Sequence, residues 1–367
     1  MGLSRILLLV AVFSALGPLA ANRFRPPSSI REIEKSFVVG VLTLGVGTLV
    51  VSQLHSLDLF GYLHLVYLLV VVTVPMLLGG WYVFALARRK RTRLLRFGGF
   101  LAVVIALLGI WATHVEPNWL DTDFVAVTGP IDEPIRIGVL ADLQTPNVGK
   151  IEQNAIDALL EEQPDLILVP GDLFQGDPDQ IRLETPAFVE LLQALVARAE
   201  VVAVVSGDSD GTSQLVPIVE AAGAVYIDNK VIDLTINGQP VRLAGVSVFT
   251  ASERLDTIAE LSEPRDSLTV LLSHRPDVVY ELPLGSDVDL IVSGHTHGGQ
   301  ISVPFIGPPV TFSDVPNSVG AGGIGLVDNY PVYVSTGVGM ERLQAPQIRF
   351  GVRPSVGIID VVPEPAG

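Results

Sequence analysis

The chain is 367 residues long, contains no cysteine and carries a formal net charge of −16, a length that suggests two or three domains. The average hides two chemically different halves: residues 1–113 hold 11 Lys+Arg against 3 Asp+Glu, a net of +8, whereas residues 114–367 hold 12 against 36, a net of −24. Absence of cysteine removes disulfides and thiolate chemistry from consideration. A body this anionic is a poor binder of nucleic acid, whose phosphates are held by Lys and Arg, and a better candidate for binding cations.

Four apolar stretches come first, at roughly 4–21, 36–54, 59–87 and 97–113. Each approaches or exceeds the ~17 to 25 residues that span a bilayer as a helix. Arg23, Arg25, Arg31 and Lys35 lie between the first two, and Arg88, Arg89, Lys90, Arg91, Arg93 and Arg96 between the last two, with no Lys or Arg between the second and third. Basic loops stay cytoplasmic, so this spacing places the N-terminus and everything after Val115 on the outer side. A cleaved signal peptide over residues 1–21, with Arg5 ahead of the apolar run and Ala20 and Ala21 at its end, is the competing reading, which the charge of the two loops opposes. A transporter bundle is another, but Asp58 falls in a loop and His64 is the only ionisable residue well inside a span, so an anchor is the more economical reading.

Residues 114–133 read as a linker, 134–361 as one globular domain and 362–367 as a tail. Within the domain, short β-rich runs at 135–141, 165–170, 200–206, 241–249, 268–272, 287–293, 331–336 and 355–361 predict strands. Amphipathic segments at 150–163, 185–199, 212–222 and 252–262 predict helices, and this alternation indicates an α/β fold. The Gly- and Pro-rich stretch 304–330 predicts a long loop bordering a site.

Polar residues gather just beyond the strand ends. Asp142 and Gln144 follow the first, Gly171 and Asp172 the second, and Gly207, Asp208, Ser209 and Asp210 the third. His274 follows the fifth and Gly294-His295-Thr296-His297 the sixth. One Asp at a strand end is an ordinary cap or turn residue. Five strand ends leading into carboxylate or imidazole supply an all-N/O ligand set suited to Mn, Fe, Zn, Ni or Co.

The series Asp142-x-Gln144, Gly171-Asp172, Gly207-Asp208-Ser209-Asp210, Ser273-His274-x-Pro276-Asp277 and Gly294-His295-Thr296-His297 resembles the calcineurin-like metallophosphoesterases. The tract Gly298-Gly299-Gln300-Ile301, the run Val334 to Gly339, Ile348-Arg349-Phe350 and Arg353-Pro354 look like their membrane-anchored microbial branch. Over residues 134–361 the resemblance implies a four-layer αββα sandwich preceded by an all-α four-helix transmembrane region. It implies two divalent metal ions, Mn, Fe, Zn or Mg. The first would be held by Asp142, Gln144, Asp172 and His297, and the second by Asp172, Asp208, His274 and His295, with Asp172 bridging.

Three positions depart from that family's pattern. Gln144 stands for a histidine and offers only a neutral amide oxygen. Asp208 stands for an asparagine and adds negative charge. Ser209 stands for the histidine that contacts the phosphate and protonates the leaving group, work a hydroxyl cannot do, with Asp210 beside it. Asp208, Ser209 and Asp210 are thus the candidate catalytic group. The implied activity is hydrolysis of a phosphate ester, biased toward good leaving groups, on a phosphoester from lipid or cell envelope outside the cell membrane. The alternative is a catalytically impaired module that binds metal or a phosphorylated ligand.

Overall fold

The long apolar runs form the N-terminal helices α1 (Leu3–Ala21), α2 (Ile30–Leu54), α3 (Leu59–Leu68), α4 (Val74–Ala87) and α5 (Arg93–Ile110). The computed structural model describes residues 2–89 and 92–364, so Lys90 and Arg91 of the second basic loop, and the last three residues of the expected tail, lie outside the described residues. Polar residues mark the helix starts. Ser29 accepts the Glu32 amide ahead of α2, Asp58 accepts Gly61 ahead of α3, and Thr92 accepts Leu95 ahead of α5. Asp58, expected in a loop, is therefore a helix cap. A π turn, Leu69–Thr73, joins α3 to α4 just where Pro75 lacks an amide to donate, and Thr73 Oγ1 donates to the Ala11 carbonyl, 2.7 Å away.

With these turns included, four helices among the described residues are long and apolar enough to cross a membrane: Leu3–Ala21, Ile30–Leu54, Leu59–Ala87 and Arg93–Asn118. Their outer faces expose large side chains such as Phe37, Leu49 and Phe100, the pattern of helices solvated by lipid. The chain divides into two compact units, Met1–Val115 with Glu341–Gln347, and Glu116–Met340 with Ile348–Gly367. In the first, Gln344 accepts the Asp58 amide and donates to the Ser56 carbonyl.

The second unit is a sandwich of two six-stranded mixed sheets. Its strands are β1 (Asp121–Gly129), β2 (Ile135–Val139), β3 (Leu166–Val169), β4 (Val201–Val204), β5 (Val225–Tyr226), β6 (Lys230–Ile236), β7 (Gln239–Val246), β8 (Leu268–Ser273), β9 (Leu290–Ser293), β10 (Gly323–Val327), β11 (Tyr330–Val334) and β12 (Ser355–Pro363). Their orders are β1-β12-β2-β3-β4-β5 and β10-β11-β9-β8-β7-β6. Strands β2 to β5 run parallel in one sheet, and β7, β8, β9 and β11 in the other.

The period of two along each strand sorts the core. Leu166, Leu168, Val270, Leu272, Leu290 and Val292 point between the sheets and form one apolar cluster. Ile167 and Val169 point the other way, onto α6 (Lys150–Glu161), α7 (Pro178–Val196) and α8 (Thr212–Ala222). Leu271 and Ile291 face α9 (Ala251–Glu260) and the 3₁₀ turn Pro276–Glu281. The layers are thus helix, sheet, sheet, helix, which is the expected four-layer αββα arrangement.

Two expectations are corrected. Residues 121–129 of the expected linker form strand β1, paired in parallel with β12 from Asp121↔Ser355 to Gly129↔Pro363. In the expected loop 304–330, a one-turn helix α10 (Asn317–Gly320) and strand β10 interrupt the irregular chain. Alternate Val125 and Val127 of β1 pack on the inter-sheet cluster, giving the strand its buried face.

Candidate metal centre

Every candidate residue sits just past the C-terminal end of a parallel strand, where the backbone must turn out of the sheet. Asp142 and Gln144 follow β2, Asp172 follows β3, Asp208 follows β4, His274 follows β8, and His295 and His297 follow β9. Five of these residues hold left-handed backbone: Asp142 (φ 48°), Gln144 (φ 42°), Asp172 (φ 53°), His295 (φ 71°) and His297 (φ 49°). Each such non-glycine residue costs energy that the surrounding fold must over-determine, and strain concentrated in one spot marks a site. Two glycines make the crowding possible. A Cβ on Gly207 would lie 2.1 Å from Asp172 Oδ1, and one on Gly294 would lie 2.3 Å from Asp142 Oδ2.

Two of the imidazoles are oriented from behind by backbone carbonyls, and the third by an arginine. His274 Nδ1 donates to Pro170 O at 2.8 Å and His295 Nε2 to Phe312 O at 3.2 Å, whereas His297 Nδ1 lies 3.4 Å from Arg349 Nη2. The second nitrogen of each ring then faces a carboxylate. His274 Nε2 lies 3.7 Å from Asp172 Oδ2 and 3.6 Å from Asp208 Oδ2, His295 Nδ1 lies 3.0 Å from Asp208 Oδ2, and His297 Nε2 lies 3.9 Å from Asp142 Oδ1. His274 Nε2 and His297 Nε2 are buried and have no hydrogen-bond partner. A ring lone pair aimed at a carboxylate oxygen is repulsive unless a cation stands between them. Held imidazoles with their free nitrogens on carboxylates are the arrangement that second-shell hydrogen bonds impose on metal ligands. Donor atoms of Asp142, Asp172 and His274, and of Asp208, His274 and His295, each lie within 4.8 Å of one another. The residues present therefore fit divalent cations.

The electrostatics say the same. Burial, with the Asp172 charge beside it, pushes the Asp142 carboxyl up to about 7. Burial alone would lower His274, but the surrounding carboxylates, Asp172 foremost, carry it to about 10. Burial and the neighbouring Arg349 guanidinium depress His297 well below its ordinary value, so its ring is neutral and its lone pair available. For Asp208, the two imidazoles and Arg275 outweigh burial and hold the carboxyl well below the usual carboxylate range.

The remaining candidates are placed differently. Gln144 Nε2 donates to Asp172 Oδ2 at 2.9 Å, and the Ser209 amide donates to Asp172 Oδ1 at 2.7 Å. The Ser209 hydroxyl donates to the Phe174 carbonyl at 2.9 Å. Asp210 is buried and accepts the amides of Leu173, Phe174 and Gly207 at 3.1, 3.1 and 3.3 Å. Burial and the Asp172 charge raise Asp210 to about 7 as well.

Sequence reasoning gave no role to two arginines. Arg349, fully buried, donates to the carbonyls of Thr336, Gly337 and Gly339 and lies 3.4 Å from His297 Nδ1. Arg275 forks onto Asp208, with Nε 3.0 Å from Oδ2 and Nη2 2.6 Å from Oδ1. Its position next to His274 was the available signal.

Residues 135–299 match the family model of the calcineurin-like phosphoesterases. Among curated proteins, the uncharacterized YpbG of Bacillus subtilis (strain 168) is 27% identical over 231 residues, 62% of this chain and 80% of that protein. The phosphodiesterase YaeI of Escherichia coli (strain K12) is 27% identical over 260 residues, 68% of this chain and 91% of its own. The uncharacterized metallophosphoesterase YkuE of Bacillus subtilis (strain 168) is also 27% identical over 260 residues, 68% of this chain and 87% of its own. The chain carries a calcineurin-like metallophosphoesterase domain.

Proposed function

We propose that the protein is a membrane-anchored, metal-dependent phosphoester hydrolase, with phosphodiesters as the substrate type. The observation that carries this is the set of three imidazoles, two held by a backbone carbonyl and one backed by Arg349, each turned with its other nitrogen toward a carboxylate. Asp142, Gln144, Asp172 and His297 would hold one divalent cation, and Asp172, Asp208, His274 and His295 a second, with Asp172 shared. Two such cations supply Lewis acidity for the phosphoryl group and a hydroxide nucleophile near neutral pH.

The chain's own residues set the chemistry around them. The carbonyls of Pro170 and Phe312 hold one ring nitrogen each of His274 and His295, leaving the second nitrogen of each ring turned to the centre. The Ser209 hydroxyl and the Asp210 carboxylate are engaged with backbone, so neither is aimed at a leaving group. Loss of general acid catalysis costs ~10² to 10⁴-fold, a penalty that falls on poor leaving groups. The enzyme should therefore cleave aryl phosphodiesters far better than alkyl ones.

Four apolar spans and the two basic loops support an anchor with the catalytic domain on the outer face. A phosphoester of lipid or cell-envelope origin is then the substrate within reach. The same engagement of Ser209 and Asp210 favours one second reading, a module that binds a phosphorylated ligand without turnover.

The test is the full chain purified in detergent and loaded with Mn²⁺, assayed on aryl and alkyl phosphodiesters, with metal content measured on the same sample. Bound metal with aryl-selective turnover supports the hydrolase. Metal without turnover transfers the conclusion to the binding module, and equal rates on both esters would sink the account of Ser209.

A further inference from the structure

Arg275 stands at the end of β8, immediately after His274, with its side chain 53% exposed. One carboxylate, Asp208, ties it to the centre: the oxygen that accepts Arg275 Nε also lies 3.0 Å from His295 Nδ1 and 3.6 Å from His274 Nε2. Beyond the guanidinium opens a cavity of about 290 Å³, lined by Ser247, Arg254, Ser273, Arg275, Phe312 and Ser313 among others.

The other cations bordering this region are already committed. Arg254 forks onto Glu281 at 2.8 and 3.0 Å and donates to the Ser247 carbonyl. Arg349 is buried among carbonyls. Asp142, Asp172 and Asp208 meanwhile crowd the centre with negative charge that an anionic substrate must approach. Of these three guanidiniums, Arg275 alone combines solvent exposure with a position at the edge of the centre.

We propose that Arg275 is the phosphate-binding residue of this site, exchanging its carboxylate partner Asp208 for the oxygens of the substrate phosphoryl group. The inference rests on the phosphoesterase reading. A guanidinium fork matches two phosphoryl oxygens as it matches two carboxylate oxygens, so the exchange keeps both charge-assisted hydrogen bonds. Released from the fork, the Asp208 carboxylate is free to turn wholly toward the cation that His274 and His295 face. The pair works as a latch: closed on Asp208 without substrate, open onto phosphate with it.

The experiment uses the full chain in detergent and two calorimetric titrations, Mn²⁺ into the metal-free protein and inorganic phosphate into the Mn-loaded protein. Arg275→Ala should leave the Mn²⁺ stoichiometry unchanged and weaken phosphate binding about 10 to 100-fold. Arg275→Lys should recover part of the loss, because an ammonium keeps the charge without the fork. Undiminished phosphate affinity in Arg275→Ala overturns the proposal. So does a loss of phosphate that only accompanies loss of Mn²⁺, since Arg275 would then merely hold Asp208 in place. A parent protein that binds neither Mn²⁺ nor phosphate overturns the phosphoesterase reading itself, and the proposal with it.

Discussion

The two sides of the metal centre are built on different physical terms. Asp142, Gln144, Asp172 and His297 are almost wholly buried, close-packed by Gly294 and Gly337, and backed by the buried Arg349. Asp208, His295 and Arg275 sit at the mouth, where an exposed guanidinium forks onto the carboxylate. Low dielectric makes charges on the buried side expensive and their compensation strong, whereas solvent screens the mouth. The buried side is therefore the rigid reference of the site, and the mouth the part free to rearrange around a ligand.

The largest expected effect comes from removing the carboxylate that both sides share. Asp172→Ala should abolish Mn²⁺ binding on both sides and lower turnover by about 10³-fold or more, as metal analysis and aryl diester hydrolysis would show. A variant that still binds two equivalents would break the idea of a shared ligand.

Next come substitutions that separate the sides. Arg349→Met leaves the carbonyls of Thr336, Gly337 and Gly339 without their buried donor, at about 1 to 3 kcal/mol for an unsatisfied group, so thermal unfolding of the domain should shift down. An unshifted unfolding temperature would show that the buried side does not depend on its guanidinium. Gly294→Ala forces a methyl against Asp142 and should cost about 1 to 3 kcal/mol by overpacking, with weaker metal binding at the buried side and the mouth less affected. Equal weakening at both sides in a calorimetric titration would contradict the division.

A smaller, opposite effect is expected at Gln144. Histidine there replaces a neutral amide with imidazole and should tighten Zn²⁺ binding about tenfold, whereas a slackened site would mean that Gln144 serves mainly to donate to Asp172. On aryl esters the smallest effect is that of Ser209→His, which should barely change them while raising turnover of alkyl esters. Uniform gain on both would point to substrate binding instead of leaving-group protonation.

Much of this was legible in one dimension. The apolar runs that became the buried strands β3, β8 and β9 are nearly continuous, as strands covered on both faces must be, and the polar residues just beyond them were the visible trace of the site. The less visible strands are at sheet edges. β1, β5, β6 and β10 lie at the four ends of the two sheets, with one neighbour each and more polar or exposed positions, so their pattern is weak. The hairpin turns joining two of them did leave a signal: Asn237-Gly238 and Asp328-Asn329, all at positive φ, are residue pairs suited to a tight hairpin turn.

By itself the sequence determined the four apolar spans, the α/β alternation and the residue types of the centre, because hydrophobic length, periodicity and ligand chemistry are local properties. Only the tertiary structure decided how those residues pair. That Ser209 and Asp210 turn to the Leu173–Phe174 backbone, and that Arg275 closes on Asp208 across 67 positions of chain, depends on which strand ends the sheets bring together. Contacts between residues distant in sequence are fixed by packing, and no local pattern encodes them.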